Sequence, residues 1–417
     1  MIKDFDIGII GGGIAGYTAA LHYSKSGKKV VLFEKSEIGG TCLNKGCIPT
    51  KSILKSSEIY SLVKNSEQFG VTCENVKFDY KKVIERKNEI IVTLRKNIEL
   101  ALKSAKISVI KTEAKILSDK QIQNLQTNEI YETDRIVCCT GSGARKLPGF
   151  DFDGEFILNS DDVLELEKLP QNMLIVGSGA IGCEWAQIMN NFGVETTVIE
   201  LAQNLLPLAD IDISKRLERV FKSKGINFYK ETSIEGIDGK NVHLSNGQMI
   251  TPEKILVSIG RIPNVIEKLD GITYLGDVSG EIQLAHYAQR QSLFETIGLP
   301  YNKNLIPSVV YGTPEIAWVG KREQDLEKGC YTKANILISS LGKAWCDCKT
   351  DGIIKVLKVE NKIVGAHIMA EHASSMINTL SVAIQKGVDI EDVCFPHPTY
   401  SEGMFDVLLK MYEPNFK

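Results

Sequence analysis

Cys42 and Cys47 lie five positions apart in the segment 39–51, GGTCLNKGCIPTK. Two thiols this close could form a disulfide that opens and closes during a redox reaction. The chain has 10 cysteines, and chance alone gives about 0.2 pairs at this spacing, so the spacing by itself establishes little. Two alternatives stay open at this point: a pair of buried free thiols, and a metal site whose other ligands lie elsewhere.

The residues around the two cysteines predict an irregular helix start. In a regular α-helix, residues five apart have α-carbons roughly 8–9 Å apart, whereas a disulfide tolerates about 7 Å at most. The helix must therefore be distorted, and Gly46 permits a bend while Pro49 is tolerated only in an early turn. Because the dipole at a helix start favours thiolates, we expect a reactive pair with lowered pKa values.

A candidate base lies near the C-terminus. His397 stands between Pro396 and Pro398, and Glu402 follows five positions later. The prolines restrict the backbone and the carboxylate can orient the imidazole, which suits general acid–base chemistry. The alternative is an ordinary solvated histidine in a loop.

A repeated pattern predicts the elements that position these groups. In each copy an apolar strand leads into the motif G-x-G-x-x-G. The glycines of the two motifs are Gly11, Gly13, Gly16, Gly177, Gly179 and Gly182. In each copy an acid ends the next predicted strand, 23 positions after the first glycine, at Glu34 and at Glu200. In a βαβ unit the glycines allow a tight turn, the helix N-terminus faces a pyrophosphate, and the acid binds a ribose hydroxyl. One such motif could be a simple glycine turn, but two complete copies predict two dinucleotide sites.

The predicted fold class is α/β, with two Rossmann-like domains followed by a C-terminal α+β domain. We expect the first domain at residues 1–144, the second at 145–262, a short central segment at 263–302 and the C-terminal domain at 303–417. In this last domain, β-rich stretches at 352–359 and 362–369 precede a helix at 374–386.

Glu200 indicates which nicotinamide cofactor the second domain takes. A carboxylate at this point accepts hydrogen bonds from an unmodified ribose and repels a 2′-phosphate. The next residues, 201–204, contain no arginine that could bind such a phosphate. The sequence therefore favours NAD over NADP.

The amino-acid composition limits which partners and which cellular location we expect for the protein. Hydrophobic residues make up 43%, charged residues 24%, and the net charge is −3, a balance typical of soluble proteins and without a basic field for nucleic acid. The longest apolar runs are far shorter than the roughly 20 residues of a membrane helix. No secretory signal is visible, and scattered cysteines are typical of reduced thiols, so we expect a cytoplasmic protein without membrane or nucleic-acid partners.

The segment 39–51 resembles the redox-disulfide motif of the pyridine nucleotide-disulfide oxidoreductases, most closely that of the branch that oxidises dihydrolipoyl groups. The resemblance covers nearly the whole chain, and its motifs follow one another in the same order as in the family. Besides the glycine loops with their acids, it rests on Thr140-Gly141-Ser142, Gly260-Arg261, Gly276-Asp277, Leu284-Ala285-His286, PEIAWVG at 314–320 and HPTYSE at 397–402.

The resemblance implies FAD in the first domain and NAD in the second. It implies that Lys51 lies near the flavin ring and pairs with Glu184 beside the nicotinamide. The residues implied to contact FAD are Gly11, Gly13, Gly16, Glu34, Thr41, Lys51, Thr140, Gly141, Ser142, Asp277, Leu284, Ala285 and His286. The residues implied to contact NAD are Gly177, Gly179, Gly182, Glu184, Glu200 and Gly260.

The resemblance also implies a reaction. Cys42 would exchange with a dihydrolipoyl group, Cys47 would face the flavin, and electrons would pass through FAD to NAD⁺. His397, aligned by Glu402, would act as the base across a homodimer interface. The expected partner is a lipoyl-bearing domain of a 2-oxo acid dehydrogenase complex or of the glycine cleavage system. Two alternatives remain: an NAD(P)H-dependent reductase of another disulfide, and a flavin-bearing assembly subunit with little turnover.

Some features depart from the family pattern or have no role in it. Only 11 residues separate Asn264 from Gly276, where the family has a longer stretch, so the central region is abridged. Three cysteines, Cys138, Cys139 and Cys183, are expected to be ordinary buried side chains. The C-x-C pair Cys346 and Cys348 has no second cluster of ligands in the sequence, and no metal site is predicted.

Overall fold

The computed structural model describes residues 3–264, 268–388, 390 and 392–412. Over these residues the chain forms ten α-helices: α1 (Ile14–Lys25), α2 (Gly40–Lys45), α3 (Cys47–Lys64), α4 (Tyr80–Ser104), α5 (Ala180–Asn191), α6 (Ile211–Ser223), α7 (Ala285–Ile297), α8 (Gly342–Cys346), α9 (Ala373–Lys386) and α10 (Glu402–Tyr412).

The same residues form twenty-two strands: β1 (Lys3–Ile10), β2 (Val30–Glu34), β3 (Ser108–Lys111), β4 (Ala114–Ile116), β5 (Gln121–Asn124), β6 (Ile130–Cys138), β7 (Ser142–Ala144), β8 (Ile157–Leu158), β9 (Asn172–Val176), β10 (Glu195–Ile199), β11 (Asn227–Tyr229), β12 (Ile234–Asp238), β13 (Asn241–Leu244), β14 (Met249–Ile250), β15 (Lys254–Val257), β16 (Arg261–Pro263), β17 (Ile272–Tyr274), β18 (Ser308–Val310), β19 (Glu315–Gly320), β20 (Thr332–Leu337), β21 (Ile353–Val359) and β22 (Lys362–Ala370).

The first sheet has the order β3-β2-β1-β6-β5-β4, and β17 pairs with the end of β6. Its β1, β2, β3, β6 and β17 run parallel, while β4 and β5 add an antiparallel edge. One face of the sheet packs against helices α1, α4 and α7, and side chains from the strands themselves fill the core on the other face. Since β17 comes from the abridged central segment, that segment completes the first sheet.

The second sheet is wholly parallel, with the order β11-β10-β9-β15-β8. A small antiparallel sheet, β12-β13-β14, accompanies it, and β7 pairs with β16 where the chain passes between the first two units. The third unit is an antiparallel sheet, β18-β19-β22-β21-β20, whose core also contains side chains of α9 and α10.

The predicted fold class, two Rossmann-like units followed by an α+β unit, is confirmed. The helix predicted at 374–386 is α9, which begins one residue earlier, at Ala373. The domain limits at 144, 262 and 302 stay predictions, because the largest core cluster crosses all three units and joins Ile53 of α3, Trp185 of α5 and Met369 of β22. Among the described residues, no helix combines the length and hydrophobicity that crossing a membrane requires.

A buried lysine joins the second and third units. Lys355 of β21 is fully buried, and its Nζ lies 2.7 Å from a carboxylate oxygen of Asp210 and 2.7 Å from one of Asp212. Glu323 of the third unit completes the group. Three carboxylates around one point resemble a cation site, and here the ammonium of Lys355 is the cation. Burial opposes the charge of Lys355, but its hydrogen bonds to the carboxylates raise its pKa overall.

Replacing Lys355 with methionine should strongly destabilise the protein. The substitution leaves three carboxylates together without their buried counter-charge, which typically costs about 3–5 kcal/mol. Urea unfolding followed by circular dichroism measures the loss. Lys333, an exposed partner of the same Glu323, is the matched control, and Lys333→Met should cost at most about 1 kcal/mol. Equal losses in the two variants would show that burial of the Lys355 ammonium adds nothing to the free energy of unfolding.

Candidate active site

The two cysteines lie on either side of a helix break. Cys42 belongs to α2, Cys47 begins α3, and Gly46 between them has φ −145° and ψ −111°. A Cβ on Gly46 would lie 2.9 Å from the carbonyl oxygen of Thr41, so a larger residue would push the two helices apart. The predicted distortion at Gly46 is therefore confirmed, and Pro49 lies in the first turn of α3 as expected.

The segment that carries Cys42 packs directly on the first glycine loop. The Gly39 N–H donates to the carbonyl of Gly12 at 2.9 Å, and a Cβ on Gly40 would lie 2.6 Å from the α-carbon of Gly13. Asn44 secures the short helix by donating to the carbonyl of Gly40 at 3.0 Å. Cys42 is thus held beside the loop that is predicted to bind a pyrophosphate.

The two thiols differ in acidity. Both are free and partly buried, and a hydrogen bond between them raises the pKa of Cys42 while it lowers that of Cys47 to about 7. Burial opposes ionisation of Cys47, but the positive charge of Lys51 favours its thiolate. The expectation of two lowered pKa values is correct for Cys47 and wrong for Cys42, because two adjacent thiols share a proton and only one ionises readily.

Lys51 lies one helical turn after Cys47 and pairs with the second unit. Its Nζ is 2.8 Å from Oε2 of Glu184, which is almost fully buried on α5. Burial lowers the pKa of Lys51, but the attraction and hydrogen bond of Glu184 raise it overall. Lys51 therefore carries its charge at neutral pH, on the same face of α3 as the Cys47 sulfur.

Tyr311 completes this arrangement from the third unit. Its backbone N–H donates to Oε1 of Glu184 at 3.1 Å, and its ring lies under the Lys51 ammonium, 4.8 Å from Nζ to the ring centroid. The Thr313 N–H donates to Gln187 at 3.0 Å on the same face of α5. The turn after β18 thus fixes the acid that holds Lys51. Sequence reasoning missed Tyr311, although it stands three positions before the PEIAWVG segment.

His397 and Glu402 form a bonded pair. Nδ1 of His397 lies 2.8 Å from Oε1 of Glu402, and the other carboxylate oxygen accepts the Thr399 N–H at 2.7 Å. These bonds, that of Thr399 first, lower the pKa of Glu402. The imidazole is 78% exposed, and no hydrogen bond or ion pair among the described residues joins it to Cys42 or Cys47. Within one chain, the base therefore faces outward.

The first glycine loop has the features of a pyrophosphate cradle. Gly11 has φ +102°, and a Cβ there would lie 2.2 Å from the carbonyl oxygen of Cys139. The α1 helix begins without a side-chain cap at Gly13, which leaves its first N–H groups for a phosphate. Glu34 accepts the Gly12 N–H at 2.6 Å, beside a cavity of about 500 Å³ that it helps to line. An adenosine diphosphate moiety fits these features.

The residues predicted around the rest of the first cofactor are linked by hydrogen bonds. Ser142 donates to Asp277 at 2.5 Å, and Arg261 donates to Ser142 at 2.8 Å. Thr140 donates to the carbonyl of Asn264 at 3.0 Å. This network joins the end of the first sheet to the central segment, as a cofactor lying across both would require.

Helix α7 packs with its middle against the start of α1. Ser292 of α7 donates to the carbonyl of Ala15 at 2.9 Å, and Leu284 is the N-cap residue of α7. His286 contacts the carbonyl of Pro307 through Nε2 at 2.8 Å. The placement of Leu284, Ala285 and His286 beside the first cofactor stays a prediction. Thr41 is exposed at the start of α2, next to that loop.

The second glycine loop repeats the first. Gly177 has φ +97°, and α5 begins without a side-chain cap at Gly179. Glu200 accepts hydrogen bonds from the Ser178 N–H at 2.8 Å and from its hydroxyl at 2.7 Å. The acid is thus held at the loop, where a ribose would meet it.

Three cysteines predicted to be structural, Cys138, Cys139 and Cys183, are buried as expected.

Two models of known protein families match most of the chain. Residues 5–292 match the family described as pyridine nucleotide-disulphide oxidoreductase. Residues 306–407 match the dimerisation domain of the same family. The two matches together include both glycine loops, the cysteine pair and the His397–Glu402 pair.

Individual relatives resemble the chain over nearly its full length. The dihydrolipoyl dehydrogenase of Bacillus subtilis (strain 168) is 33% identical, covering 98% of this chain and 98% of that protein. The dihydrolipoyl dehydrogenase of Mycoplasma genitalium is 32% identical, with 98% of each chain covered. Among solved structures, LpdA of Mycobacterium tuberculosis has a TM-score of 0.88 at 22% identity, over 98% of this chain and 99% of that one.

Removing either group that stabilises the Cys47 thiolate should raise its pKa. Lys51→Met deletes a neighbouring positive charge, and Cys42→Ala deletes the thiol that hydrogen bonds to Cys47. The midpoint for thiolate formation, about pH 7 in the native chain, should rise toward the ordinary range of a free thiol, about 8.5. Thiolate absorbance in the ultraviolet, corrected with Cys47→Ser variants, measures the midpoint of the reduced protein. Lys55→Met, one turn farther along α3, should leave it unchanged.

The ring of Tyr311 should support turnover through Lys51. Tyr311→Leu keeps the backbone N–H that binds Glu184 but removes the face under the ammonium, an interaction worth about 0.5–2 kcal/mol. We expect a 2- to 30-fold loss of kcat with a raised midpoint for the Cys47 thiolate. Tyr311→Phe retains the ring and should restore both values. Equal losses in the two variants would instead assign the effect to the hydroxyl.

Proposed function

Because this chain belongs to the pyridine nucleotide-disulphide oxidoreductase family, we propose that it is a dihydrolipoyl dehydrogenase that oxidises dihydrolipoyl groups with NAD⁺. The observation that carries the proposal is the position of Lys51. Its positive charge stabilises the Cys47 thiolate, and its ammonium group is paired with Glu184 of the second unit. Relatives named dihydrolipoyl dehydrogenase, 32–33% identical over 98% of the chain, support the choice of substrate.

The reaction begins with thiol–disulfide exchange at the oxidised Cys42–Cys47 pair. His397 takes a proton from a dihydrolipoyl thiol, and the resulting thiolate attacks the Cys42 sulfur. The Cys42–Cys47 bond breaks and Cys47 leaves as a thiolate, which its low pKa makes a good leaving group. The second substrate thiol then attacks the first substrate sulfur, closes the lipoyl disulfide and releases Cys42 as a thiol.

The reduced pair then passes the two electrons that it took from the dihydrolipoyl group on to NAD⁺. FAD, when bound, would supply the electron transfer between the dithiol and the hydride acceptor NAD⁺. Lys51 stabilises the Cys47 thiolate, and Glu184 fixes Lys51. The net reaction consumes a dihydrolipoyl group and NAD⁺ and yields lipoyl, NADH and a proton.

The site residues support this assignment of roles. Gly11, Gly13, Gly16 and Glu34 are proposed to hold the adenosine diphosphate of FAD, and Gly177, Gly179, Gly182 and Glu200 that of NAD. The carboxylate of Glu200 favours NAD because it would repel a 2′-phosphate. Ser142 and Asp277 would face the flavin side of the first cofactor, with Leu284 to His286 beside the ring.

A homodimer is the proposed assembly. The C-terminal unit matches a dimerisation domain, and among the described residues no hydrogen bond or ion pair joins the outward-facing His397 to the cysteine pair of its own chain. In a dimer with the family's arrangement, His397 would reach the Cys42–Cys47 pair of the second copy. The proposed substrate is a lipoyl-bearing protein domain of a 2-oxo acid dehydrogenase complex or of the glycine cleavage system, in the cytoplasm.

Stopped-flow reduction tests the proposal. Mixing the oxidised holoprotein with dihydrolipoamide should produce a long-wavelength absorption band from the Cys47 thiolate beside the flavin, followed by NADH when NAD⁺ is present. Cys47→Ser should abolish the band, while Cys330→Ser, at an exposed single cysteine, should leave it intact. Absence of the band with dihydrolipoamide, together with its appearance with NADPH and another disulfide, would identify a reductase instead.

A further inference from the structure

The turn after β18 is held by a second set of contacts, besides the bond between Tyr311 and Glu184. Oε1 of Gln187 accepts the Thr313 N–H at 3.0 Å, and Nζ of Lys224 donates to the Thr313 carbonyl at 2.5 Å. Lys224 also lies 3.4 Å from Oε1 of Gln187. Both backbone polar groups of Thr313 are therefore bound, one by α5 and the other by the residue that follows α6.

The turn packs on α5 without free space at Gly312. A Cβ on Gly312 would lie 2.2 Å from Nε2 of Gln187, and Gln187 is itself buried. The side chain of Gln187 therefore fills the space beside the glycine. Because the fit is this close, we expect a displacement of Thr313 to move Tyr311 as well, rather than to be absorbed within the turn.

Lys224 brings a charged donor to a place where its charge is costly. Burial, together with the positive charge of Lys349, lowers the pKa of Lys224 to about 8, although the charges of Glu371, Glu58 and Asp351 oppose this shift. The ammonium group therefore keeps its proton at neutral pH. A charged donor binds a neutral carbonyl more strongly than a neutral donor does, so Lys224 is well suited to hold the turn.

The contacts of Lys224 lead to Lys51 in two steps. Gln187 and Glu184 stand three positions apart on α5 and share one face of the helix. Each accepts a backbone N–H of the turn, Gln187 that of Thr313 and Glu184 that of Tyr311. Lys51 is bound to Oε2 of Glu184 at 2.8 Å and lies over the Tyr311 ring. Its two partners therefore come from the two sides of this packed interface.

We propose that Lys224 is a positioning residue for the redox reaction, which holds the turn 311–313 on α5 and thereby keeps Lys51 where it stabilises the Cys47 thiolate. Without the ammonium of Lys224, the Thr313 carbonyl loses its donor and the turn is held to α5 less firmly. The partners of Lys51 then shift, and the Cys47 thiolate loses part of its stabilisation. The importance of this thiolate for turnover rests on the proposed function, whereas its acidity does not.

Titration of the Cys47 thiolate in the reduced holoprotein tests the proposal, with ultraviolet thiolate absorbance corrected by matching Cys47→Ser variants. Lys224→Met should raise the midpoint above its native value of about pH 7, but by less than Lys51→Met does, because Lys51 itself remains. Gln187→Met removes the oxygen that accepts the Thr313 N–H and should also raise the midpoint. An unchanged midpoint in folded Lys224→Met would overturn the proposal. If that variant does not fold, an unchanged midpoint in Gln187→Met would do so.

A second buried lysine separates positioning from general stability. Lys87 is buried and donates to the Leu164 carbonyl at 2.9 Å, so it makes the same kind of bond at another place. Lys87→Met and Lys224→Met should both lower the urea concentration at half-unfolding, but only Lys224→Met should shift the thiolate midpoint. Lys215→Met, at an exposed position of α6, should change neither value. Equal midpoint shifts in the Lys87 and Lys224 variants would assign the effect to lost stability and refute a positioning role.

A double variant tests whether Lys224 acts through Lys51. Changes at residues that act through one another are not additive, so Lys224→Met should cause no further midpoint shift when it is combined with Lys51→Met. If the double variant instead shows the sum of the two single shifts, Lys224 reaches Cys47 by another route and the proposal is wrong. The titration uses neither dihydrolipoamide nor NAD⁺, so failure of the proposed function would be seen separately, in stopped flow.

Discussion

The ammonium group of Lys51 is the point at which the three units of this protein meet. Lys51 comes from the first unit, its carboxylate partner Glu184 from the second, and the ring beneath it from Tyr311 of the third. A cation in this semi-buried position needs each of these partners, since burial alone would disfavour its charge. The relative placement of the units therefore sets the acidity of Cys47, and the Lys355 network reinforces that placement from another side.

The cysteine pair depends on a second constraint, the broken helix at Gly46. A continuous helix would separate the two sulfurs, whereas the break lets them hydrogen bond and gives Cys47 the first position of α3. Close packing of Gly40 on Gly13 then holds the pair at the first glycine loop. The same few glycines thus shape the loop proposed to bind the cofactor phosphates and hold the thiols beside that loop.

Sequence reasoning predicted the features that depend on local spacing. The break at Gly46, the paired glycine loops and the bond between His397 and Glu402 all involve residues within one element or one loop. Tyr311 and Lys355 were missed because their partners come from other units, and no spacing in the sequence records such contacts. The raised pKa of Cys42 was missed for a different reason: the helix-dipole argument treats each thiol alone, while two adjacent thiols share a proton.

The central region is abridged, but it still contacts the first sheet. Although only 11 residues separate Asn264 from Gly276, β17 still pairs with β6, and the Leu275 N–H donates to the carbonyl of Cys138 at 3.0 Å. The pairing delivers Asp277 to Ser142. The shortened stretch is therefore anchored to the first sheet through β17 and Leu275, and this anchoring places Asp277 against Ser142, the two residues proposed to lie on the flavin side of FAD.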